Sequence, residues 1–171
     1  MKQANVRVVV SGSAWMGSGL GSIESALYRL FEQANDEVTI VAYAVSSAAA
    51  MLFEQLETVL QRGIRVRLLV NRFALQPAGV QRKCHELQRS FSHLTQVFSF
   101  TPQSDEADLH AKIILVDRKY ALVGSANLSR RGLMDNHELG VVIEGAGAAD
   151  IARAIDQLLA SPYVSPVHLQ V

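Results

Sequence analysis

The sequence predicts an α/β fold, a mixed β-sheet flanked by helices in an α-β-α sandwich. Three observations carry this. Short β-branched runs alternate with longer helical stretches over the first hundred residues, the pattern of parallel βαβ units. A later strand–turn–strand segment, with Asp117 to Lys119 between its arms, predicts an antiparallel hairpin. The chain has 171 residues, 49% of them hydrophobic, which suits one core and one domain over 1–171.

Val6–Val10 reads as a strand, followed by a Gly/Ser loop through Ser22 and a helix from Ile23 to Ala34. Glu37–Tyr43 is a second strand, and Ala48–Arg62 a second helix closed by Gly63. Arg65–Val70 is a third strand, and Ala78–Ser90 a third helix behind Pro77. Val97–Phe100 is a short strand before the polar loop Thr101–Asp108. Ala111–Val116, Ala121–Val123 and Glu138–Ile143 are further strands, and Ala148–Leu159 is a closing helix. Neither an internal repeat nor a linker is evident.

Composition excludes several classes. A half-apolar chain without biased tracts is neither disordered nor fibrous. The longest apolar run, Val38 to Val45, is too short to span a bilayer. Lys2 and Arg7 precede only Val8-Val9-Val10 before polar Ser11, so no signal peptide is predicted. The single cysteine, Cys84, excludes a disulfide framework and a Cys-rich zinc site. Together these predict a cytoplasmic protein without membrane insertion. Net charge is zero but unevenly spread: residues 61–131 carry 12 basic and 5 acidic residues, the remainder 4 and 11. Such asymmetry gives either one positive face or an ordinary solvated surface.

Chemistry-bearing patterns are few. The loop Ser11–Gly21 joins a strand to a helix, yet it has no lysine for a Walker loop, and Gly17-x-Gly19 runs into Ser22 where a dinucleotide loop needs glycine. It reads as a connector or as a loop that touches phosphate. Cys84 and His85 are helix neighbours whose side chains diverge by roughly 100°, so they do not form a nucleophile pair. The informative segment is His110-Ala-Lys112-Ile-Ile-Leu-Val-Asp117, followed by Gly124-Ser125-Ala126-Asn127. On a strand, His110 and Lys112 share a face while Ala111, Ile113 and Leu115 line the other. The hairpin returns Gly124–Asn127 to the start of the first arm, where Ser125 and Asn127 can donate to the same anion.

The full spacing is His-x-Lys, four residues, Asp, six residues, Gly-Ser-x-Asn. This resembles the HKD motif of the phospholipase D superfamily. Asn136-His-Glu138 resembles the downstream Asn-x-Glu, and Tyr43, Ser46-Ser47 and Arg62-Gly-Ile-Arg-Val-Arg67 resemble the family's second strand and the approach to its third. The likeness covers about residues 23–145. It implies that a histidine attacks phosphorus, that a second histidine protonates the leaving oxygen, and that water hydrolyses the phosphohistidine. His110 would be nucleophile or general acid, and Lys112, Ser125 and Asn127 would hold the phosphoryl oxygens. Glu138 would orient the imidazole, and Asp117 would chiefly brace the motif.

Only one His-x-Lys is present. The resemblance is therefore to the short, single-motif nuclease branch, which implies a homodimer with one active site across the two-fold axis. The implied substrate is DNA or RNA, with Arg118, Lys119, Arg130 and Arg131 flanking the motif as phosphate contacts or as solvated turn residues. The segments Leu-His-Ala-Lys, Ser-Ala-Asn-Leu-Ser-Arg and Asn-His-Glu-Leu-Gly also resemble phospholipase D-like proteins of bacterial antiphage defence systems, which implies defence-system partners. No cofactor and no metal is implied, Asp105-Glu106-Ala-Asp108 being the alternative metal site. Two other readings stay open: a phospholipase D or phosphatidyl transferase acting on lipids, and a catalytically idle nucleic-acid-binding module.

Overall fold

A computed structural model describes residues 5–46, 50–103 and 107–169. Among the described residues, nine strands form one sheet: β1 (Asn5–Ser11), β2 (Gly21–Ser22), β3 (Glu37–Ala42), β4 (Arg65–Asn71), β5 (Thr95–Phe100), β6 (Ile113–Val116), β7 (Tyr120–Gly124), β8 (Glu138–Glu144) and β9 (Val164–Pro166). The α-helices among the described residues that cover it are α1 (Ile23–Gln33), α2 (Ala50–Gln61), α3 (Ala78–Ser90) and α4 (Ala146–Leu159). The strand order is β2-β1-β8-β7-β6-β3-β4-β5-β9. β3, β4 and β5 run parallel in the expected βαβ manner, and β6–β7 is the expected antiparallel hairpin.

One expectation is corrected in detail. β1 runs in the same direction as β3, yet β8, β7 and β6 are inserted between them, so the first βαβ unit is not a neighbouring pair. The short strands β2 and β9 carry no alternation that a sequence window registers: Gly21–Ser22 extends β1 by only two pairs, and β9 pairs with β5 through Pro166 at the sheet edge.

The two sheet faces hold separate cores. Alternate residues of the central strands, Ile40, Val66, Leu68, Ile114, Val116 and Val142, pack against α1, α2 and α3. The other parity, Val41, Leu69, Leu115 and Ala121, packs against Ala148, Ala152 and Ile155 of α4. Ala111, Ile113 and Leu115 do share this second face, as their spacing predicts. Local signals set the helix ends. Ser22 caps α1 by accepting from Ser25 N at 3.0 Å, and Gly63 ends α2 in the left-handed region at φ 81°. The Arg62 guanidinium donates to the carbonyls of Phe31, Glu32 and Ala34 at the end of α1, pairing a cation with the negative helix terminus.

The directions of the strands define two edges of the sheet. The carboxyl ends of β1, β3, β4, β5 and β7 and the amino ends of β6 and β8 share one edge. The turn joining β6 to β7 lies at the other. No helix among the described residues is long and apolar enough to cross a membrane.

Candidate active site

His110 and Lys112 lie immediately before β6 rather than within it. The ladder still reaches them, since Gly124 N donates to Lys112 O at 3.3 Å. Lys112 Nζ lies 3.1 Å from His110 Nδ1 and donates to His110 O at 2.7 Å. An ammonium has donors only, so that contact uses the Nδ1 lone pair and leaves the ring proton of a neutral imidazole on Nε2. Partial burial lowers the pKa of Lys112 from its ordinary value, and the Glu138 carboxylate opposes that shift.

A second layer fixes the approach to His110. Asn71, buried at the end of β4, accepts from Leu109 N at 3.0 Å and donates to Asp108 at 3.2 Å. Arg72 Nε donates to the same Asp108 oxygen at 2.7 Å. This hydrogen bond, and then that of Asn71, holds the Asp108 carboxyl below its usual range, with the charges of Arg72 and His110 adding to the effect. Asp108 is thus committed to structure, whereas Asp105 and Glu106, the rest of the acidic loop, lie outside the described residues, as does Ser47. Tyr43, just beyond β3, stacks on His110 with centroids 4.4 Å apart. Gln76 holds Tyr43 by donating to the carbonyls of Tyr43 and Asn71, and it accepts from Val45 N. Sequence reasoning assigned no role to Asn71 or Gln76, because an isolated amide carries no spacing signal.

Ser125 and Glu138 meet across β7 and β8, where the Ser125 hydroxyl donates to Glu138 Oε2. Asn136 Nδ2 donates to Glu138 Oε1 at 3.2 Å. The expected contact of Glu138 with the His110 imidazole of the same chain is therefore not made. β7 separates their strands, an interval of roughly 10 Å, and Ser125 on the nearer strand takes the carboxylate. Asn127 follows β7, with its Oδ1 buried and without a hydrogen-bond partner. Its backbone is pressed against Gly132, where an added Cβ would sit 2.3 Å from Asn127 O, so only glycine fits. Arg131–Asp135 forms a single π-helical turn after Asn127. Arg130 and Arg131 are exposed there, at the same edge as His110.

Arg118 and Lys119 do not flank the site. They occupy the β6–β7 turn at the far edge, and Arg118 is ion-paired with Asp156 of α4. Asp117 is in that turn too, separated from His110 by the full length of β6. Its carboxylate accepts from the backbone N–H groups of Asn35, Asp36 and Glu37 at 2.8–2.9 Å, which is a bracing role. Burial raises its pKa, but the hydrogen bonds to this backbone outweigh burial and the net shift is downward. Cys84 is no nucleophile, since burial pushes its thiol up to about 12.

This nine-stranded sheet, with a His-x-Lys pair, Ser125, Asn127 and Glu138 gathered at one edge, defines a phospholipase D-like domain. The family model described as cardiolipin synthase, PLD-like domain, matches residues 27–161, and the chain belongs to that family. It is similar to the DISARM protein DrmC of Bacillus paralicheniformis, 22% identical over 97% of this chain and 68% of DrmC. Cardiolipin synthase A of Buchnera aphidicola is 31% identical over 84% of the chain, and the 5'-3' exonuclease PLD3 of Bos taurus 31% identical over 78%. The chain spans only 28% and 26% of those two proteins. In fold it is similar to the phospholipase D family member Nuc of Salmonella typhimurium, with a TM-score of 0.73, 16% identity, and coverage of 97% of this chain and 99% of Nuc. Members of the superfamily act on phosphodiester bonds.

Proposed function

We propose that this chain is a nuclease that cleaves DNA or RNA phosphodiesters through a covalent phosphohistidine, in an active site completed by a second copy of itself. The observation that carries the reading is the apposition of Lys112 Nζ and His110 Nδ1 at an exposed sheet edge, in a chain with a single His-x-Lys. One imidazole cannot be nucleophile and general acid at once. A second copy supplies the other. The β1–β8 face, with Val6, Val8 and Leu139 exposed beside Glu138, is the surface we assign to that contact.

In the proposed cycle an incoming phosphate draws Lys112 Nζ onto its oxygens. His110 Nδ1 then becomes free to carry the ring proton, and Nε2 attacks phosphorus. The bond to the leaving oxygen breaks as the partner imidazolium protonates that oxygen. The same group, now neutral, takes a proton from water, which attacks phosphorus and releases His110. Lys112 supplies the positive charge at the phosphoryl oxygens, so the proposed mechanism calls for no metal. Arg130 and Arg131 are the basic residues placed to meet adjoining phosphates. With the similarity to the DISARM protein DrmC in support, the proposed role is in phage defence beside partner proteins, and the compartment we assign is the cytoplasm.

The experiment is incubation of the purified protein with labelled single- and double-stranded DNA and RNA in EDTA, beside a His110→Ala control. Metal-free cleavage that His110→Ala abolishes is the expected result. The similarity to cardiolipin synthase A supports a second reading, phosphatidyl transfer. Release or transfer of headgroup from phosphatidylglycerol vesicles, with oligonucleotides left intact, would favour it.

A further inference from the structure

We infer that the open groove beside the β1–α1 loop is a nucleobase subsite for a base carrying an exocyclic amino group, close to the scissile phosphate of a single-stranded substrate. The inference rests on the nuclease reading above and adds the substrate's form and base preference.

The groove measures about 510 Å³ and opens at the same sheet edge as His110. Its wall is Trp15, whose ring lies 5.7 Å from that of His137, tilted by 50°. The backbone that carries the tryptophan is tied down, because His137 Nε2 accepts from Ala14 N at 3.0 Å and Gly12 N donates to Met134 O. His137 directly precedes Glu138, so the platform is continuous with the site. Three exposed apolar side chains surround the opening: Met16 at 83%, Leu20 at 46% and Met134 at 39% exposure. An indole flanked by thioethers is a soft, polarisable surface suited to a flat π-system.

The remaining chemistry selects the guest. Glu24 and Asp135 line the groove, and neither carboxylate has a hydrogen-bond or ion-pair partner among the described residues. Two carboxylates repel a phosphate, and a hydrocarbon chain has no donor for them. An amino group on cytosine, adenine or guanine donates to such a carboxylate, whereas thymine and uracil bring none. A base reaches Trp15 only when it is out of a duplex stack. β1 stands three strands from β6, about 14 Å at the usual strand spacing, so the guest belongs to a nucleotide flanking the one attacked.

The chain has one tryptophan and four tyrosines, so emission excited at the red edge of indole absorption, where phenols do not absorb, reports on Trp15 alone. The His110→Ala protein, unable to turn substrate over, is titrated with oligo-dC, with oligo-dT of equal length and with phosphatidylglycerol vesicles. Saturable quenching by oligo-dC, about tenfold tighter than by oligo-dT, is expected. In otherwise native enzyme, Trp15→Ala raises KM on oligo-dC by about tenfold, Trp15→Phe retains most of the affinity, and Glu24→Ala with Asp135→Ala, which removes both acceptors, abolishes the dC preference. Cleavage with unchanged fluorescence and unchanged KM in Trp15→Ala overturns this inference while leaving the nuclease reading intact. Quenching by vesicles alone also overturns it. No cleavage of any nucleic acid by the wild type overturns the nuclease reading itself.

Discussion

Tyr43 and His110 lie ring against ring, 4.4 Å between centroids and 39° apart in tilt, with Lys112 Nζ 5.4 Å from the same tyrosine ring. One aromatic side chain from the end of β3 therefore contacts both groups that define the site. It limits the imidazole's rotation and gives the ammonium a π face to rest on. An exposed histidine ahead of a short strand would otherwise sample several rotamers, and each misplacement costs rate.

Tyr43→Ala is expected to lower kcat by roughly 2–10-fold, the range of an aromatic pair, with KM little changed. Tyr43→Phe keeps the ring and should keep the rate. Steady-state kinetics on one oligonucleotide decides it, and a Phe variant as poor as the Ala variant would mean that the hydroxyl, not the stacking, matters.

If the active site needs two copies of His110, mixing tests it directly. His110→Ala alone should lose several orders of magnitude in turnover. Co-refolded with wild type, it should depress activity as the square of the wild-type fraction, because mixed dimers carry only one imidazole. A linear dependence would indicate that each chain works by itself.

Asn71→Ala leaves the buried Leu109 N–H without its acceptor and Asp108 without one donor. The expected cost is about 1–3 kcal/mol of unfolding free energy, measured by urea titration. A fall in kcat should accompany it under conditions where the variant is still fully folded, since Leu109 is the residue before His110.

Asp117 gives a pH dependence of stability with a definite sign. Its folded pKa is depressed, so its contribution is present above the unfolded value of about 3.9 and is lost as pH falls through the folded value. Asp117→Ala should cost about 1–3 kcal/mol at pH 7. The gap between wild type and variant should close on acidification below pH about 4, as denaturant titrations at several pH values would show.

How much of this was legible in the sequence depends on the range of each interaction. Local signals served well: α3 runs from Ala78 to Ser90 behind Pro77, and Gly63 stops α2, both as expected. The face shared by Ala111, Ile113 and Leu115 followed from strand parity alone. Contacts set by topology did not follow. That β8, β7 and β6 would separate β1 from β3 has no local signature, and without the strand order Arg118 and Lys119 seem near His110 merely because the sequence distance is short. Glu138 shows the same limit, since its partner depended on which strand lay between. The tyrosine at the end of β3 was visible as a resemblance, but its stacking on His110 is a tertiary contact between β3 and the approach to β6 that no sequence spacing encodes.

β1 finds its long partner only at the other end of the chain: Asn5 is in register with Glu144, and Ser11 with Glu138. On the ribosome, the first strand therefore emerges well over a hundred residues before its main partner. The β3–β4–β5 unit, whose pairings are much closer in sequence, can consolidate earlier. During that interval Val6, Val8 and Val10 are an unpaired β-branched strand in search of a neighbour. Pairing of β8 joins β1 to the rest of the sheet and brings Glu138 to Ser125, so this edge of the candidate site depends on a strand made late in the chain.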